Sequence, residues 1–566
     1  MENDRKVSAP PHEPTDWFSI NWKQVLMFVG KAQRAIAQAE KDRDYRRVKR
    51  LQRSLIRSWQ ARALAVKRVT ENRGKRTSGI DRELWDSPES KWTAIWRLKT
   101  QGYRARPLKR AWIPKPNGDE RPLGIPTMLD RAMQALFHLG LDPAAECHAD
   151  PNSYGFRKAR STHDAMSQLF NVLSGANGAQ WILDADIKGF FDNINHDWLL
   201  ANVHMNKRVL RTWLRSGVVD KRQLWALQKT EKGTPQGGVI SPLLANLTLD
   251  GLERGLKKHL VALYGVAKTR KLKVHLVRYA DDFVVTGASP EVLNDTVIPW
   301  VTSFLTDRGL TLNVTKTKVV HVDEGFDFLG WNFRKYGGKL LIKPSRKNVK
   351  AFYRKVEEEV ASSLHLHTDV MILNLNRKLR GWAEYHKGVV AKQVFTKMDH
   401  RLYWRLMRWG LRRHPRWDKH RVFRHYWTDA SGRFEFSADT VDRSGDKLTI
   451  RLYRLADTKI VRHKKVREEY NPYDPAWEVY GEELRVTRMA ASLWDTQRVS
   501  LWLDQGGLCA HCGTAIEIDD RDMHDHHIIP LGLGGTNALS NRVLLHTVCH
   551  RQVHALEVMV TKPARV

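Results

Sequence analysis

The residues best able to do chemistry in this 566-residue sequence are carboxylates at the ends of apolar runs. One motif reads Asp184-Ala-Asp186-Ile-Lys-Gly-Phe-Phe191-Asp and follows Trp181-Ile-Leu183 directly. The other reads Tyr279-Ala-Asp281-Asp282, with Val274, Leu276 and Val277 before it and Phe283 to Val285 after it. An apolar run, two acids and a second apolar run predict a hairpin with both carboxylates at its tip. A lone Asp-Asp is usually a plain turn, because Asp bonds its own backbone there. A third carboxylate beside the pair raises pKa values by repulsion unless metal ions intervene. Two-metal phosphoryl transfer wants that arrangement, with divalent ions about 3.5–4 Å apart at the attacking and leaving oxygens.

A second concentration of reactive side chains lies in the tail: Cys509-Ala-His-Cys512, His524-Asp-His-His527, Asn541, and His546-Thr-Val-Cys549-His-Arg-Gln-Val-His554. Cys509 and Cys512, with His546 and Cys549, are two pairs of equal spacing. Together they make a Cys3His set suited to structural, tetrahedral Zn2+. In a module of about 60 residues, zinc replaces core that the chain is too short to build. Three of the four cysteines fall after position 500, which excludes a disulfide framework and points to a reducing, cytoplasmic setting.

The elements that must position these groups are legible in charge and periodicity. Lys and Arg total 95 against 62 acids, a formal net charge of +33. Such an excess calls for a polyanion, and nucleic acid is the obvious one. Hydrophobic residues at 42% exclude a largely disordered chain. No apolar run is long enough to span a membrane, and the residues after Met1 lack a signal peptide's apolar stretch, so no membrane partner is expected. Residues 31–76 carry sixteen Lys/Arg and four acids at helical spacing, predicting amphipathic helices with a basic outer face. Residues 341–427 carry 21 Lys/Arg and seven acids, interleaved with Trp382, Trp404, Trp409 and Trp417. Those tryptophans read equally well as core or as part of a nucleic-acid surface. Arg408, Arg412, Arg413 and Arg416 cluster without acids and suit phosphate contact. Residues 501–566 hold only five Lys/Arg against seven acids, but seven of the 24 histidines, which marks a module of different chemistry.

The motifs occur in an order that resembles the reverse transcriptases encoded within group II introns. They are Ile113 to Pro126 with its Pro-Lys-Pro-Asn-Gly core, the Asp186 motif, Gly233-Thr-Pro-Gln236-Gly-Gly238, Tyr279-Ala-Asp-Asp282, Leu312 to Lys318 and Phe326-Asp-Phe-Leu-Gly-Trp331. The resemblance implies a multidomain chain: an α/β right-hand polymerase with fingers and palm, an α-helical thumb, a small DNA-binding segment and a zinc-stabilised ββα-metal (HNH) domain. The expected divisions are 1–105 for a basic extension and the start of the fingers, 106–335 for fingers and palm, and 336–427 for the thumb (domain X). Residues 428–500 fall where the family carries its DNA-binding segment, and 501–566 form the HNH endonuclease.

Carried over by residue, the resemblance implies that Asp186 and Asp281 bind two Mg2+ ions with Asp282 in support, while Asp184 is a weaker candidate. Phe191 would exclude a 2′-hydroxyl and favour deoxynucleoside triphosphates. Lys115 and Arg121 would hold the triphosphate, and Gln236 would contact the nucleotide from a turn that Gly237 and Gly238 keep open. Lys316 would donate a proton to pyrophosphate or simply contact phosphate. In the tail, the likeness to HNH nucleases implies His527 as general base, His526 and His550 as ligands of one divalent ion, Mg2+ by preference, and Asn541 as the residue that orients base or loop. His554 is a further ligand or a bystander. His511 and His524 are expected to be exposed, and Arg542 replaces the family's apolar residue after Asn541. Partners would be the group II intron RNA, held in part by Arg408, Arg412 and Arg413, and target double-stranded DNA. The expected activities are RNA-directed DNA synthesis, support of splicing, and DNA cleavage during intron retrohoming. The competing readings are an RNA-binding splicing maturase and another retroelement or defence reverse transcriptase.

Overall fold

The computed structural model describes residues 14–72, 74–114, 120–223, 225–429, 432–441, 447–492, 496–517 and 523–563. Its first basic block folds into the helices Trp22–Lys41, Tyr45–Arg57 and Trp59–Glu71. Each begins on a side chain that accepts from an otherwise unpaired backbone N–H: Asn21 from Gln24, Asp44 from Arg47 and Ser58 from Ala61. Their apolar stripes (Val25, Val29 and Ile36; Val48 and Leu55; Val66 and Val69) are buried with the long helix Met128–His148.

Two sheets follow. The outer one runs in the order Glu120–Ile125, Leu108–Pro114, Val218–Val219, Leu227–Gln228. The central one runs Leu276–Tyr279, Asp282–Gly287, Trp181–Ala185, Lys318–His321, all antiparallel. Its inner strands are continuous apolar runs because Ile182, Leu183, Phe283, Val284 and Val285 are covered on both faces.

The second basic block is helical, as Arg346–Ser362, Thr368–His386, Lys392–Arg413 and Lys419–Tyr426. Here the tryptophans divide. Trp382 stacks on Phe352 at 4.4 Å and Trp409 is buried, whereas Trp404 is 45% exposed and Trp417 lies half-buried against His414. Residues 428–500 combine a small sheet with a helix. The strands Trp427–Asp429, Phe434–Val441 and Lys447–Arg451 form one sheet, and after an extended strap comes the helix Glu478–Ala490.

That strap is tied to the helix Thr162–Leu173 by one buried carboxylate. Asp164 caps its own helix by accepting from Ser161 N at 2.8 Å. Its other oxygen accepts from His463 Nε2 at 2.9 Å, from Val466 N at 2.8 Å and from Arg488. Burial alone would raise this carboxyl, but the His463 bond and the Arg488 charge hold it down at about 2. Among the described residues no helix is long and apolar enough to cross a membrane.

Asp164→Asn is expected to lower the unfolding free energy by about 2 kcal/mol at pH 7. A carboxyl depressed in the fold stabilises above its unfolded pKa of about 4 and loses that contribution as pH falls toward 2. The gap between wild type and variant in denaturant titrations should therefore stay constant from pH 7 to about 4 and narrow below it.

Candidate functional site

The hairpin predicted around Asp281 and Asp282 forms, with Tyr279 paired to Asp282 across the turn. Ala280 takes a left-handed backbone, φ 60°, which a non-glycine residue holds only when its surroundings impose it. Arg278, fully buried, supplies that. Its guanidinium donates to Ala280 O at 3.3 Å, to Asn246 Oδ1 at 3.2 Å and to Asp250 Oδ1 at 2.6 Å. Gly155 closes the turn from the other side, and a Cβ there would lie 2.4 Å from Ala280 N.

Strand Trp181–Ala185 pairs with Asp282–Gly287, Ala185 opposite Phe283, which delivers Asp186 beside the turn. Burial first, then the charges of Asp281, Asp186 and Asp184, push Asp282 up to about 6. Asp184 also rises to about 6, through burial and then Asp186. Asp281 is raised by burial and by Asp186, while Arg121 pulls it back. Asp186 is held on both sides. Asn313 Nδ2 donates to its Oδ2 at 3.0 Å, and the Lys316 ammonium lies 3.2 Å from the same oxygen. Crowded carboxylates with a lysine cation against one of them form a donor set suited to divalent ions. Asn313 went unremarked in the sequence, although it sits inside the Leu312 to Lys318 motif.

Phe191 and Gln236 line one cavity of about 690 Å3, together with Gly124 and Lys232. Gly237, at φ 115°, is required there because a Cβ would lie 2.8 Å from Gly124 O. Arg121 is exposed, and Lys115 lies outside the described residues. Arg408 and Arg412 are exposed. Arg413 differs from them: it donates to the carbonyls of Leu364 and Leu366 at 3.2 and 2.6 Å and covers Trp409.

In the tail, the strands Met523–His527 and Arg542–His546 pair antiparallel and the helix Thr547–Ala555 packs on them. Two groups of ligand atoms converge, each within 4.8 Å: Cys509, Cys512, His546 and Cys549, and His526, His550 and His554. In the first, His546 Nε2 lies 3.1 Å from Ala515 O, which turns Nδ1 toward Cys512 Sγ at 3.4 Å. Bonds to Cys509 and Cys549 lower the Cys512 thiol. Although burial opposes it, His546 is pushed up to about 10 by the neighbouring sulfurs. The same sulfurs, with burial, push the Cys549 thiol up, so the cluster without an ion shares its negative charge unevenly. Three buried sulfurs with a ring nitrogen aimed at them fit zinc, whose charge would release the protons they hold.

In the second group, His550 and His554 approach to 3.2 Å between Nε2 atoms, so His554 is part of the cluster. Burial, then the charges of His524 and His554, push His550 down to about 4 and keep its ring neutral, as a ligand must be. His524 is exposed but stacks on His550 at 4.5 Å, and His511 is half-buried, contrary to the exposed position expected for it. Asn541 braces the loop: it accepts from Ile529 N and donates to Ile529 O and Thr536 O, each within 2.9 Å. The residue that meets His527 is Asn537, whose Oδ1 lies 2.9 Å from Nε2. Arg542 pairs with Asp525, Nε to Oδ1 at 3.0 Å, so its charge is satisfied in the loop.

Family models match this chain over 113–333 (reverse transcriptase, RNA-dependent DNA polymerase), 17–98 (N-terminal domain of reverse transcriptase), 349–427 (group II intron, maturase-specific domain) and 509–556 (HNH endonuclease). The chain therefore carries a reverse transcriptase domain, a group II intron maturase-specific domain and an HNH endonuclease domain, in that order. The Escherichia coli (strain K12) protein YkfC is 29% identical over 346 residues, 54% of this chain and 88% of that protein. The group II intron-encoded protein LtrA of Lactococcus lactis subsp. cremoris is 26% identical over 413 residues, 57% of this chain and 68% of LtrA. Among solved structures, a Candida albicans telomerase in complex with a fragment of telomeric RNA aligns at 14% identity and a TM-score of 0.32. That alignment covers 57% of this chain and 61% of the telomerase chain.

In this reverse transcriptase domain, Arg278→Met should leave Asp250 buried without its partner, at a cost of about 3 kcal/mol or more. Arg278→Lys keeps the charge but loses the fork that reaches Ala280 O. Thermal unfolding should report a large loss for the Met variant and a smaller one for Lys. Template-directed primer extension should fall in both.

Proposed function

We propose that the chain is an RNA-directed DNA polymerase that binds its own group II intron RNA, assists splicing and cuts target DNA during intron retrohoming. Its division into fingers and palm at 106–335, thumb at 336–427, DNA-binding segment at 428–500 and HNH domain at 501–566 belongs to the same reading. What supports it above all is the set of carboxylates crowded at one hairpin tip with the Lys316 cation against Asp186.

In the polymerase, Asp186 and Asp281 would hold two Mg2+ ions, with Asp282 in support. When bound, the ions supply positive charge at the attacking and leaving oxygens. Arg121, with Lys115, holds the triphosphate, Gln236 borders the nucleotide, and the Phe191 ring leaves no room for a 2′-hydroxyl. Asn313 keeps the Asp186 carboxylate in one orientation. Lys316, 3.2 Å from Asp186 Oδ2, is placed to contact phosphate or to donate a proton to pyrophosphate. Asp281→Asn should reduce deoxynucleotide addition on an RNA template on the order of 10³-fold, since a metal ligand contributes several kcal/mol to the transition state. RNA affinity should stay nearly unchanged, and normal extension would refute the assignment.

In the nuclease, Cys509, Cys512, His546 and Cys549 would hold structural zinc, while His526, His550 and His554 would hold a divalent ion, Mg2+ by preference. Asn537 Oδ1 accepts from His527 Nε2, which leaves Nδ1 as the nitrogen that takes a proton from water. Arg408 and Arg412 contact intron RNA, and Arg413 also bridges two carbonyls of its own domain. His527→Ala should cut second-strand nicking about 10²–10⁴-fold while splicing and primer extension persist. Asn537→Ala removes that acceptor and frees the ring to rotate, so nicking should fall about tenfold while primer extension persists. Unchanged nicking would remove Asn537 from the mechanism, and full nicking by His527→Ala would remove the base.

A further inference from the structure

A cavity of about 660 Å3 lies where the helix Tyr45–Arg57 faces the helix Lys207–Leu214. Its apolar part is made by Ile56, Phe137 and Leu141, all buried, and by half-buried Met205. Lys49, Arg53 and Arg57 stand along one side of it, and Lys207 and Arg208 along the other. The spacing of 49, 53 and 56 puts them on one helix face. No lining residue is a carboxylate, and neither of the two helices contains an acid. The charges feel one another. Burial first, and then Lys49, lowers the Lys207 ammonium, which is held in place by the carbonyl of Val203 at 2.6 Å.

An apolar floor under an uncompensated cationic rim matches one chemical object well. A nucleobase is a flat apolar face flanked by two phosphates, whereas a small anion would leave the floor unused and a duplex could not enter. The volume suits a single nucleotide. We propose that this cavity receives one unpaired nucleotide of an RNA strand, its base on the floor of Ile56, Phe137, Leu141 and Met205 and its phosphates on the rim. The inference rests on the reading of the chain as an RNA-binding maturase and adds a recognition pocket outside the polymerase carboxylates.

The test compares a twelve-nucleotide oligouridylate with an abasic oligomer of equal phosphate number, binding each to the full chain. Met205→Trp fills the floor without altering charge, and Ala201→Trp fills the exposed lip should the first variant fold poorly. Each is expected to weaken oligouridylate binding on the order of tenfold, with abasic binding unchanged and an undiminished salt slope. Arg53→Ala should instead weaken both ligands and lower the slope by about one unit. A 4-thiouridine in the oligomer should crosslink to the peptides carrying Phe137 or Met205. Equal wild-type affinity for the two oligomers, a filled floor that binds like wild type, or crosslinks elsewhere only would overturn the pocket. So would equal affinity for oligothymidylate, which would make the occupant single-stranded DNA. Primer extension by the same preparations judges the polymerase reading separately, because none of these residues touches Asp186, Asp281 or Asp282.

Discussion

Negative charges at the tip of one hairpin repel each other, and the central domain is built to hold them there. Asp281 and Asp282 follow a left-handed Ala280, a conformation that relaxes unless something imposes it. The buried Arg278 fork imposes it by binding the Ala280 carbonyl, and its two terminal nitrogens also reach Asn246 and Asp250. Those partners lie on the helix Ser241–Leu249 and at its end, so the turn is fixed by an element from a different part of the chain. Asn152 and Tyr154 bond the backbone of Arg278 on its open side, and Asn246 also donates to the Gly155 carbonyl. Those bonds hold the turn against the carboxylate repulsion that adds to burial in pushing Asp282 up to about 6.

The opposite imbalance governs the outside. The helices before residue 76 and those between 341 and 427 carry far more cations than acids, so their faces gain little from internal ion pairs. Exposed pairs would contribute little in any case. The consequence is a surface whose counter-ion has to come from elsewhere. Several cations, in these helices and elsewhere, do have internal partners. Arg413 caps two carbonyls, Arg157 pairs with buried Glu146 by a bond of 2.6 Å, and Arg160 reaches the carbonyls of Glu468 and Tyr470. These hold segments together, whereas Arg408 and Arg412 are left to solvent or to phosphate.

What was legible in the sequence was local. A strand ending in Asp-Asp, a Cys-x-x-Cys and a His-His pair advertise themselves because their spacing alone fixes their geometry. The amphipathic helices were legible for the same reason. Residues that act across long separations left no such trace. Asp164 meets Arg488 from 324 positions away, and either residue read alone is an ordinary surface charge. Asn537 carries no motif and meets His527 only where the loop folds back, while Asn541, the residue with the motif, braces that loop. The tryptophans of the second basic block were undecidable because helical spacing is shared by core and surface faces. Only packing on Phe352 separated Trp382 from the exposed Trp404.

The helix Thr547–Ala555 shows how closely the tail is bound to the rest. Cys549 points to the sulfur cluster, His550 and His554, one turn apart, form the imidazole cluster, and Gln552 donates to the carbonyls of Phe18 and Ile20 at 2.8 and 3.0 Å. Nine residues thus serve a metal-ligand set, a second cluster and a docking contact on different faces. The docking is not superficial, because Leu501, Trp502, Val543 and Leu545 lie in the same continuous core as Trp17, Trp22 and Val66. Glu71, raised by burial and drawn back by Lys67 and Lys91, also feels His546 and Arg551 across that junction. The composition shift after residue 500 marks a change of chemistry, yet the helix that carries His550 is held against the opening residues of the described chain. Its orientation toward the N-terminal helices is therefore set by packing, and a substitution at Gln552 acts on the nuclease through the segment that leads into the helix Trp22–Lys41.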